Sequence, residues 1–161
     1  MNRQSPPPIT KSIQVRCSQM RAFDVFTADL PSWWPVKSHS ISAGRNALPQ
    51  SCEVELREGG AIYEIDDKGT RHDWGTVTRY DPHRRFEFDW FVGRTPEEAT
   101  KVSVDFTPLG PEMTQVTLTH SDWQKLGDRA AEVHAGYDSG WELVFASCFR
   151  QACGESHGLE S

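Results

Sequence analysis

The chain has 161 residues, of which 37% are hydrophobic and 11% aromatic, which suffices for one domain with a sizeable core. Its formal net charge of -6 argues against nucleic acid and anionic membranes as partners. No stretch approaches the roughly 18 apolar residues that a membrane span needs.

The termini and the cysteines predict a cytoplasmic protein. Residues 1–8 are polar and proline-rich, without the apolar segment of a signal peptide, so we expect a disordered lead there. We expect a single domain over residues 9–153 and a flexible tail over residues 154–161. The four cysteines are Cys17, Cys52, Cys148 and Cys153. They lack the spacing of a metal site, so we predict reduced thiols, no metal and no cofactor.

The first part of the chain predicts one strand and two short helices. Ile9–Arg16 alternates apolar and polar residues, as a strand does. Ser18 is a suitable N-cap for a short helix that Pro31 would end. Ser32–Pro35 contains two adjacent tryptophans and predicts a second helical turn. Residues 36–51 are rich in Ser, Gly, Asn and Pro, and loops of this length are often lids or binding loops.

Six further strands follow. Period-two alternation places them at about 52–57, 61–66, 70–80, 85–92, 101–107 and 114–122. The short turns between them favour an antiparallel meander, and one apolar face per strand implies one covered sheet face. Glu64 shares the face of Ile62, and His120 shares the face of Leu118, so both titratable side chains should point inward.

The last stretch predicts one long amphipathic helix over residues 128–152. Its apolar positions recur every three or four residues, at Ala130, Val133, His134, Tyr137, Trp141, Val144, Phe145, Cys148 and Ala152. Asp128 is a suitable N-cap and Gly154 a suitable terminator. Gly136 and Gly140 each weaken a helix by about 1 kcal/mol. They could permit close packing on the sheet, which we favour, or a bend that widens a pocket.

The predicted fold is therefore α+β. A curved, seven-stranded antiparallel sheet wraps around the long C-terminal helix, and two short helices follow the first strand. We expect some space between the sheet and the helix.

A set of short motifs lies between about residues 9 and 152. In chain order they are Ala22-Phe23, Phe26-Thr27, Trp33-Trp34-Pro35, Leu56-Arg57-Glu58-Gly59-Gly60, Tyr63-Glu64, Trp74-Gly75-Thr76-Val77, Asp81-Pro82, Phe86 to Trp90, Leu118-Thr119-His120 with Trp123, and Tyr137 with Gly140-Trp141. Together they resemble the helix-grip proteins of the START/SRPBCC superfamily, and within it the domain named after activators of the heat-shock chaperone ATPase. The resemblance implies the fold above and an enclosed cavity. It leaves the chemistry open, because members include ligand carriers, polyketide cyclases and chaperone activators.

The candidate ligand-binding residues are mainly aromatic. They are Trp33, Trp34, Tyr63, Trp74, Trp90, Trp123, Tyr137 and Trp141, with Glu64 and His120 as polar partners. Such a set suits an apolar pocket with a few polar points, or alternatively a solid aromatic core. His120 could orient a ligand or transfer a proton, or it could be a core histidine bonded to Tyr137 or Glu64. A buried Glu64 needs a partner, which Arg57, Arg79, that histidine or a ligand could supply.

Three functions are consistent with these residues and with the resemblance, and the third is implied by the resemblance alone. The first is a binding protein for a small apolar or aromatic ligand, gated by residues 36–51, without a nucleic-acid or membrane partner. The second is a cyclase, dehydratase or hydrolase that uses His120 as base, with Glu64 or Tyr137 assisting. The third is a chaperone-activating module, ranked last because such activators carry an additional domain. Exposed aromatic residues also allow a homodimer through a sheet edge.

Overall fold

The computed structural model describes residues 6–158, and it describes side chains as far as residue 154. Over this range the chain has an α+β fold with the predicted order of strand, two short helices, six strands and long helix. The strands are β1 (Ile9–Val15), β2 (Ser51–Val54), β3 (Ala61–Ile65), β4 (Arg71–Asp81), β5 (Arg85–Trp90), β6 (Thr100–Gly110) and β7 (Met113–Ser121). The predicted N-terminal lead lies mostly outside the described residues.

The seven strands form a single curved antiparallel sheet in the order β1-β7-β6-β5-β4-β3-β2. Successive strands pair with each other, as a meander requires, except that β1 joins the far side of β7. The pairing of β1 with β7 sets Ile9 opposite His120 and Val15 opposite Thr114. Within the described chain, β1 and β2 are therefore the two edges of the sheet, and His120 lies on a strand paired on both sides.

Two short helices follow β1. The first is α1 (Gln19–Phe26), and the hydroxyl of Ser18 accepts a hydrogen bond from the Arg21 backbone N–H at 3.1 Å, which confirms the predicted cap. The second is α2 (Leu30–Trp33). Pro31 lies in the first turn of α2 and does not end α1, because the missing proline N–H breaks no hydrogen bond at that position.

The long helix begins and ends later than predicted. It consists of α3 (Ala130–Leu143), a π-helical segment (Val144–Phe149) and α4 (Arg150–Gly158). Residues 123–129 form 3-10 turns that are interrupted at Gly127, so Asp128 is not the N-cap. Gly154 does not end the helix, and the first part of the predicted tail is helical. Residues 159–161 lie outside the described residues.

The π-helical segment changes which residues face the core. The predicted stripe continued through Cys148 and Ala152, but both are only partly buried, whereas Phe149 and Cys153 are fully buried. A π-turn takes in one residue more than an α-turn, so it rotates the following positions around the helix axis. This rotation brings the thiol of Cys153 into hydrogen-bond contact with that of Cys17. All four cysteines are free thiols in the structure.

The interior between sheet and helix is filled mostly by aromatic side chains. The largest fully buried ones are Trp74, Trp90, Trp123, Phe23, Phe26, Phe86, Phe88, Phe145 and Phe149. The alternative of a solid aromatic core therefore describes the interior. Leu56, which belongs to the strand predicted over residues 52–57, lies beyond the end of β2 and is 38% exposed. No helix in the described range is long and apolar enough to cross a membrane.

Candidate functional site

An apolar cleft of ≈ 330 Å³ lies between α3 and the segment that follows α2. It is lined by Trp34, His39, Glu132, Val133, Gly136, Tyr137, Gly140, Trp141 and Val144. The volume lies near the lower end of small-molecule sites, which span roughly 300–1,000 Å³. We call residues 132–144 the helix wall and residues 34–42, of which Trp34 and His39 line the cleft, the loop wall.

Gly136 and Gly140 open the helix wall. A Cβ atom at Gly136 would meet no atom within 4 Å, and one at Gly140 would lie 4.0 Å from Nε2 of His39. The preferred interpretation of close packing is therefore wrong, because no sheet atom approaches these positions. Two glycines four residues apart share one helix face, and their missing side chains leave room in the cleft.

The loop wall is fastened to the sheet through Glu64. This carboxylate is fully buried on β3 and accepts four hydrogen bonds. The backbone N–H of Ile41 and the indole N–H of Trp74 donate to Oε1, at 2.7 and 2.8 Å. The backbone N–H and the hydroxyl of Ser42 donate to Oε2, at 3.0 and 2.6 Å. The loop itself is thus the partner that the buried carboxylate requires.

The partners predicted for Glu64 lie elsewhere. Arg57 pairs with Glu55 at 3.4 Å and Arg79 pairs with Asp81 at 3.7 Å, both toward solvent. His120 bonds to Thr100 and Trp141. The arginines were wrong candidates because a buried carboxylate can take backbone and indole donors instead of a cation.

Glu64 is ionised in the folded protein. Burial raises the pKa of its carboxyl group, but the hydrogen bonds from Ser42, Ile41 and Trp74 together lower this pKa below its ordinary value. Cys52 faces Glu64 across the β2–β3 pair. Burial and then the negative charge of Glu64 raise the pKa of the Cys52 thiol to about 12, so this thiol stays protonated.

The helix wall is fastened to the sheet through His120, which is also fully buried. The indole N–H of Trp141 donates to Nδ1 of His120 at 3.0 Å. An indole nitrogen can only donate, so Nδ1 carries no proton and the neutral ring holds its proton on Nε2. Nε2 then donates to the Thr100 hydroxyl at 2.6 Å, and that hydroxyl donates to the carbonyl of Trp90 at 3.3 Å.

His120 is therefore a satisfied core histidine, with Thr100 and Trp141 as partners in place of Tyr137 or Glu64. Burial, followed by the positive charge of Arg94, lowers the pKa of its imidazole to about 3. Both ring nitrogens are occupied, so neither lone pair nor proton faces the cleft. The arrangement does not favour His120 as the base of an enzyme.

Three of the ten predicted ligand-binding residues line the cleft, namely Trp34, Tyr137 and Trp141. Trp34 forms the loop wall and donates its indole N–H to the carbonyl of His39 at 2.7 Å. Its ring packs on the fully buried Trp74 and Trp90, with centroids 5.5 and 5.6 Å away. These two tryptophans support the cleft from behind and do not line it.

The other predicted residues lie away from the cleft. Trp33 donates to the carbonyl of Val25 at 2.6 Å and packs on Phe149. Trp123 lies behind His120, with ring centroids 4.2 Å apart. Tyr63 faces away from Ile62 and Glu64 on β3, and the Arg71 guanidinium lies 3.9 Å from its ring centroid. The strict alternation of β3 places Tyr63 on the outer sheet face.

His39 was missed as a site residue, although its loop was singled out. Its Nδ1 lies 2.7 Å from the Ser38 hydroxyl, while Nε2 lies 4.0 Å from the position that a Cβ atom at Gly140 would take. Burial lowers the pKa of this imidazole, so it is neutral near pH 7. The only signal in the sequence was a histidine close after Trp34 and Pro35, and it became informative once α3 was placed opposite.

Within the described residues, no group of three or more His, Cys, Asp or Glu side chains could hold a metal ion. His134, a predicted stripe residue, bonds through Nε2 to the carbonyl of Pro7 at 2.9 Å and packs edge-on against Trp123. The cleft therefore offers aromatic faces, one imidazole and one carboxylate at Glu132, and is suited to an organic ligand.

Comparisons with known proteins agree with the fold. An anthrahydroquino-gamma-pyrone synthase, Txn09, solved in complex with SUM, is 31% identical over 83% of this chain and 88% of its own, with a TM-score of 0.58. CalC, a self-sacrificing resistance protein from Micromonospora echinospora, is 24% identical over 93% of this chain and 96% of its own (TM-score 0.67). The Aha1 dimer from Colwellia psychrerythraea is 20% identical over 92% and 96% (TM-score 0.64). A search of curated proteins found no significant match.

The family model described as "Activator of Hsp90 ATPase homolog 1-like protein" matches residues 16–150, which is most of the domain. This match agrees with the sheet order, the long C-terminal helix and the structural neighbours given above. The chain therefore belongs to the family of Activator of Hsp90 ATPase homolog 1-like proteins, a branch of the SRPBCC superfamily.

Proposed function

We propose that this protein binds a small, planar, apolar or aromatic molecule in the cleft between the helix wall and the loop wall. The observation that carries the proposal is an open apolar cleft whose two helix glycines are not filled by any neighbouring side chain. Tyr137 and Trp141 lie side by side on the helix wall, with ring planes 25° apart. Trp34 faces them from the loop wall at 84° to Trp141. Aromatic faces at these angles suit a flat ligand.

The anchoring of both walls supports the same proposal. A site binds better when its walls are held in place before the ligand arrives, because less conformational entropy is lost on binding. Glu64 holds the loop wall and His120 holds the helix wall, each through hydrogen bonds from the wall to the sheet. The loop that was expected to gate the site is thus fastened close to the cleft at Ile41 and Ser42.

Native mass spectrometry of the gently purified protein is the first test. The mass is compared before and after denaturation, and a released small molecule supplies the mass of the ligand directly. The same spectrum reports whether the chain forms the homodimer that was predicted from the sequence.

A designed variant tests the location of the site. Gly136→Leu places a side chain in the open part of the cleft, while Ala135→Leu adds the same side chain at an exposed neighbouring position outside it. With 2-naphthol as probe, quenching of tryptophan fluorescence should be lost in Gly136→Leu and kept in Ala135→Leu. Equal binding by both variants would place the ligand elsewhere.

A second candidate function is a cyclase-type enzyme in the same cleft. It is favoured by the 31% identity to a synthase and by Nε2 of His39 facing the cleft. If Nδ1–H donates to Ser38, then Nε2 carries the lone pair of a general base. Incubation with a released ligand should then yield a product of altered mass, and His39→Gln should abolish turnover while the ligand still binds. An unchanged rate in that variant would remove this mechanism.

The chaperone-activating function stays a prediction. It is tested by adding the purified chain to an Hsp90 ATPase assay. A stimulated rate that survives Gly136→Leu would assign this activity to a surface other than the cleft.

A further inference from the structure

A second, more polar cavity of ≈ 560 Å³ lies beside the cleft. Its lining residues are Ile41, Arg71, His72, Asp73, Phe91, Gly93, Arg94 and Pro96. Ile41 belongs to the loop that Glu64 fastens, so this cavity shares a supporting segment with the loop wall. Three lining side chains can carry positive charge, and their pairing decides what the cavity can accept.

Two of these three groups are already paired. Arg71 bonds through Nε to Asp73 at 2.7 Å and lies over the ring of Tyr63. His72 bonds through Nε2 to Asp66 at 2.9 Å. Arg71 and His72 are therefore already paired with carboxylates. Arg94 is the third of these groups.

Arg94 has no such partner. No carboxylate among the described side chains forms an ion pair with it. Its Nη2 makes one long hydrogen bond, to the carbonyl of Trp90 at 3.4 Å. Its Nε is buried and has no hydrogen-bond partner, and it is the one described side-chain atom in that condition. A buried guanidinium donor without an acceptor is costly, and such an atom calls for an explanation.

The position of Arg94 connects the cavity to the cleft. Its guanidinium carbon lies 5.9 Å from the ring centroid of Tyr137, which lines the helix wall. The Tyr137 hydroxyl also interacts with Arg94 and Trp90. Tyr137 therefore lies between the two features, because it lines the cleft and its ring is next to the guanidinium of Arg94, which lines the cavity.

We propose that Arg94 binds the anionic group of an aromatic acid whose ring lies in the apolar cleft. This inference rests on the proposed function, and it adds the charge class of the ligand. A carboxylate would accept hydrogen bonds from the planar guanidinium fork and supply the missing acceptor, and arginine suits this role better than lysine. A single arginine would then provide the selectivity for an anion, in a protein whose formal net charge is -6.

Calorimetric titration with two matched probes tests the inference. 2-Naphthoate carries a carboxylate, and 2-naphthalenemethanol has the same ring system without charge. The folded wild-type protein should bind the carboxylate at least about tenfold more tightly, because hydrogen bonds to charged groups contribute strongly. Arg94→Gln should remove this preference, so that the variant binds the carboxylate no more tightly than it binds the alcohol.

The control is Arg79→Gln, an identical change at an exposed arginine that lines neither cavity. It should keep the preference for the carboxylate. Equal binding of both probes by the wild type, or a preference retained in Arg94→Gln, would overturn the anion site while the cleft proposal stands. Failure of both probes to bind any folded variant would contradict the cleft proposal itself. Arg94→Lys, which keeps the charge, should retain part of the preference if Arg94→Gln proves unstable.

Discussion

The loop wall and the helix wall of the cleft are held to the same sheet by buried titratable residues of opposite character. Glu64 and His120 are both fully buried. Glu64 accepts four hydrogen bonds from donors and stays charged, whereas His120 accepts one, donates one and stays neutral. Burial disfavours the charged form in both cases, and the balance of donors and acceptors decides the outcome.

This difference determines how protonation would weaken the attachment of each wall to the sheet. Protonation of Glu64 replaces an acceptor by a donor and so removes an anchor of the loop wall. Protonation of His120 places a proton on Nδ1, where the Trp141 N–H already points, and so removes an anchor of the helix wall. Acid should therefore loosen both walls, although for two different chemical reasons.

The largest expected effect is the loss of stability in acid. The folded pKa of His120, about 3, lies below its unfolded value near 6.5, so the unfolded state binds more protons between these values. The free energy of unfolding should therefore fall as the pH falls through this window, by on the order of 4 kcal/mol in total. Urea unfolding at a series of pH values measures it.

His120→Gln separates the two anchors. Glutamine offers one donor for Thr100 and one acceptor for Trp141 but does not titrate. The pH dependence above about pH 4.5 should become much flatter in this variant, because the lowered pKa of Glu64 confines its contribution to pH values below its unfolded pKa of about 4.3. An unchanged pH profile would mean that His120 is not the group that titrates.

The next effect is that of Glu64→Gln. The side-chain NH2 group of glutamine is itself a donor and cannot accept hydrogen bonds. The two donors that bonded to the carboxylate oxygen it replaces are therefore left unsatisfied. We expect a destabilisation of about 3 kcal/mol, since each buried unsatisfied group costs about 1–3 kcal/mol. Hydrogen exchange at the Ile41 and Ser42 amides should accelerate. Glu53→Gln, at an exposed carboxylate on the edge strand β2, is the control and should change neither quantity.

Trp141→Phe tests the helix wall with a smaller change. Phenylalanine keeps an aromatic ring in the cleft but cannot donate to Nδ1 of His120. The unpaired acceptor should cost about 1–2 kcal/mol. NMR titration should show a small rise in the pKa of His120, because the lone pair on Nδ1 becomes available while burial and the positive charge of Arg94 still lower this pKa. An unchanged pKa would show that the hydrogen bond from Trp141 does not contribute to it.

The smallest effect is opposite in sign. Gly136→Ala should stabilise the protein by about 0.5–1 kcal/mol, because alanine favours the helix and its methyl group meets no atom within 4 Å. The same methyl group enters the cleft and should weaken 2-naphthol binding. Thermal unfolding and probe titration measure the two changes. A destabilised variant would mean that the glycine serves helix packing after all.

The sequence predicted the fold more fully than the site. Alternation along β3 and β7 correctly placed Glu64 and His120 inside, because side-chain direction follows from strand period alone. It could not predict their partners. Thr100 is twenty residues from His120, and Ser42 is twenty-two from Glu64, so each pair meets only through sheet register or loop folding.

The aromatic residues show the same limit. Trp33 and Trp34 are adjacent, yet Trp33 is partly buried against Phe149, whereas Trp34 is buried and lines the cleft. The two side chains are chemically identical. Trp33 is the last residue of α2 and Trp34 directly follows it, so the path of the chain at the end of α2 determines which indole faces α3. Arg94 gave no signal in the sequence, since an arginine in a polar loop is ordinary until its buried Nε is seen to lack an acceptor.

By itself, the sequence determined the order of elements, the inward faces of the strands and the family, because these depend on local periodicity and short motifs. Only the tertiary structure decided that the interior is filled and that the open space lies beside α3. The physical reason is that volume left between elements depends on how side chains from distant segments pack together. Gly136 and Gly140 leave a cleft open only because Trp34 and His39 lie opposite them in the folded chain.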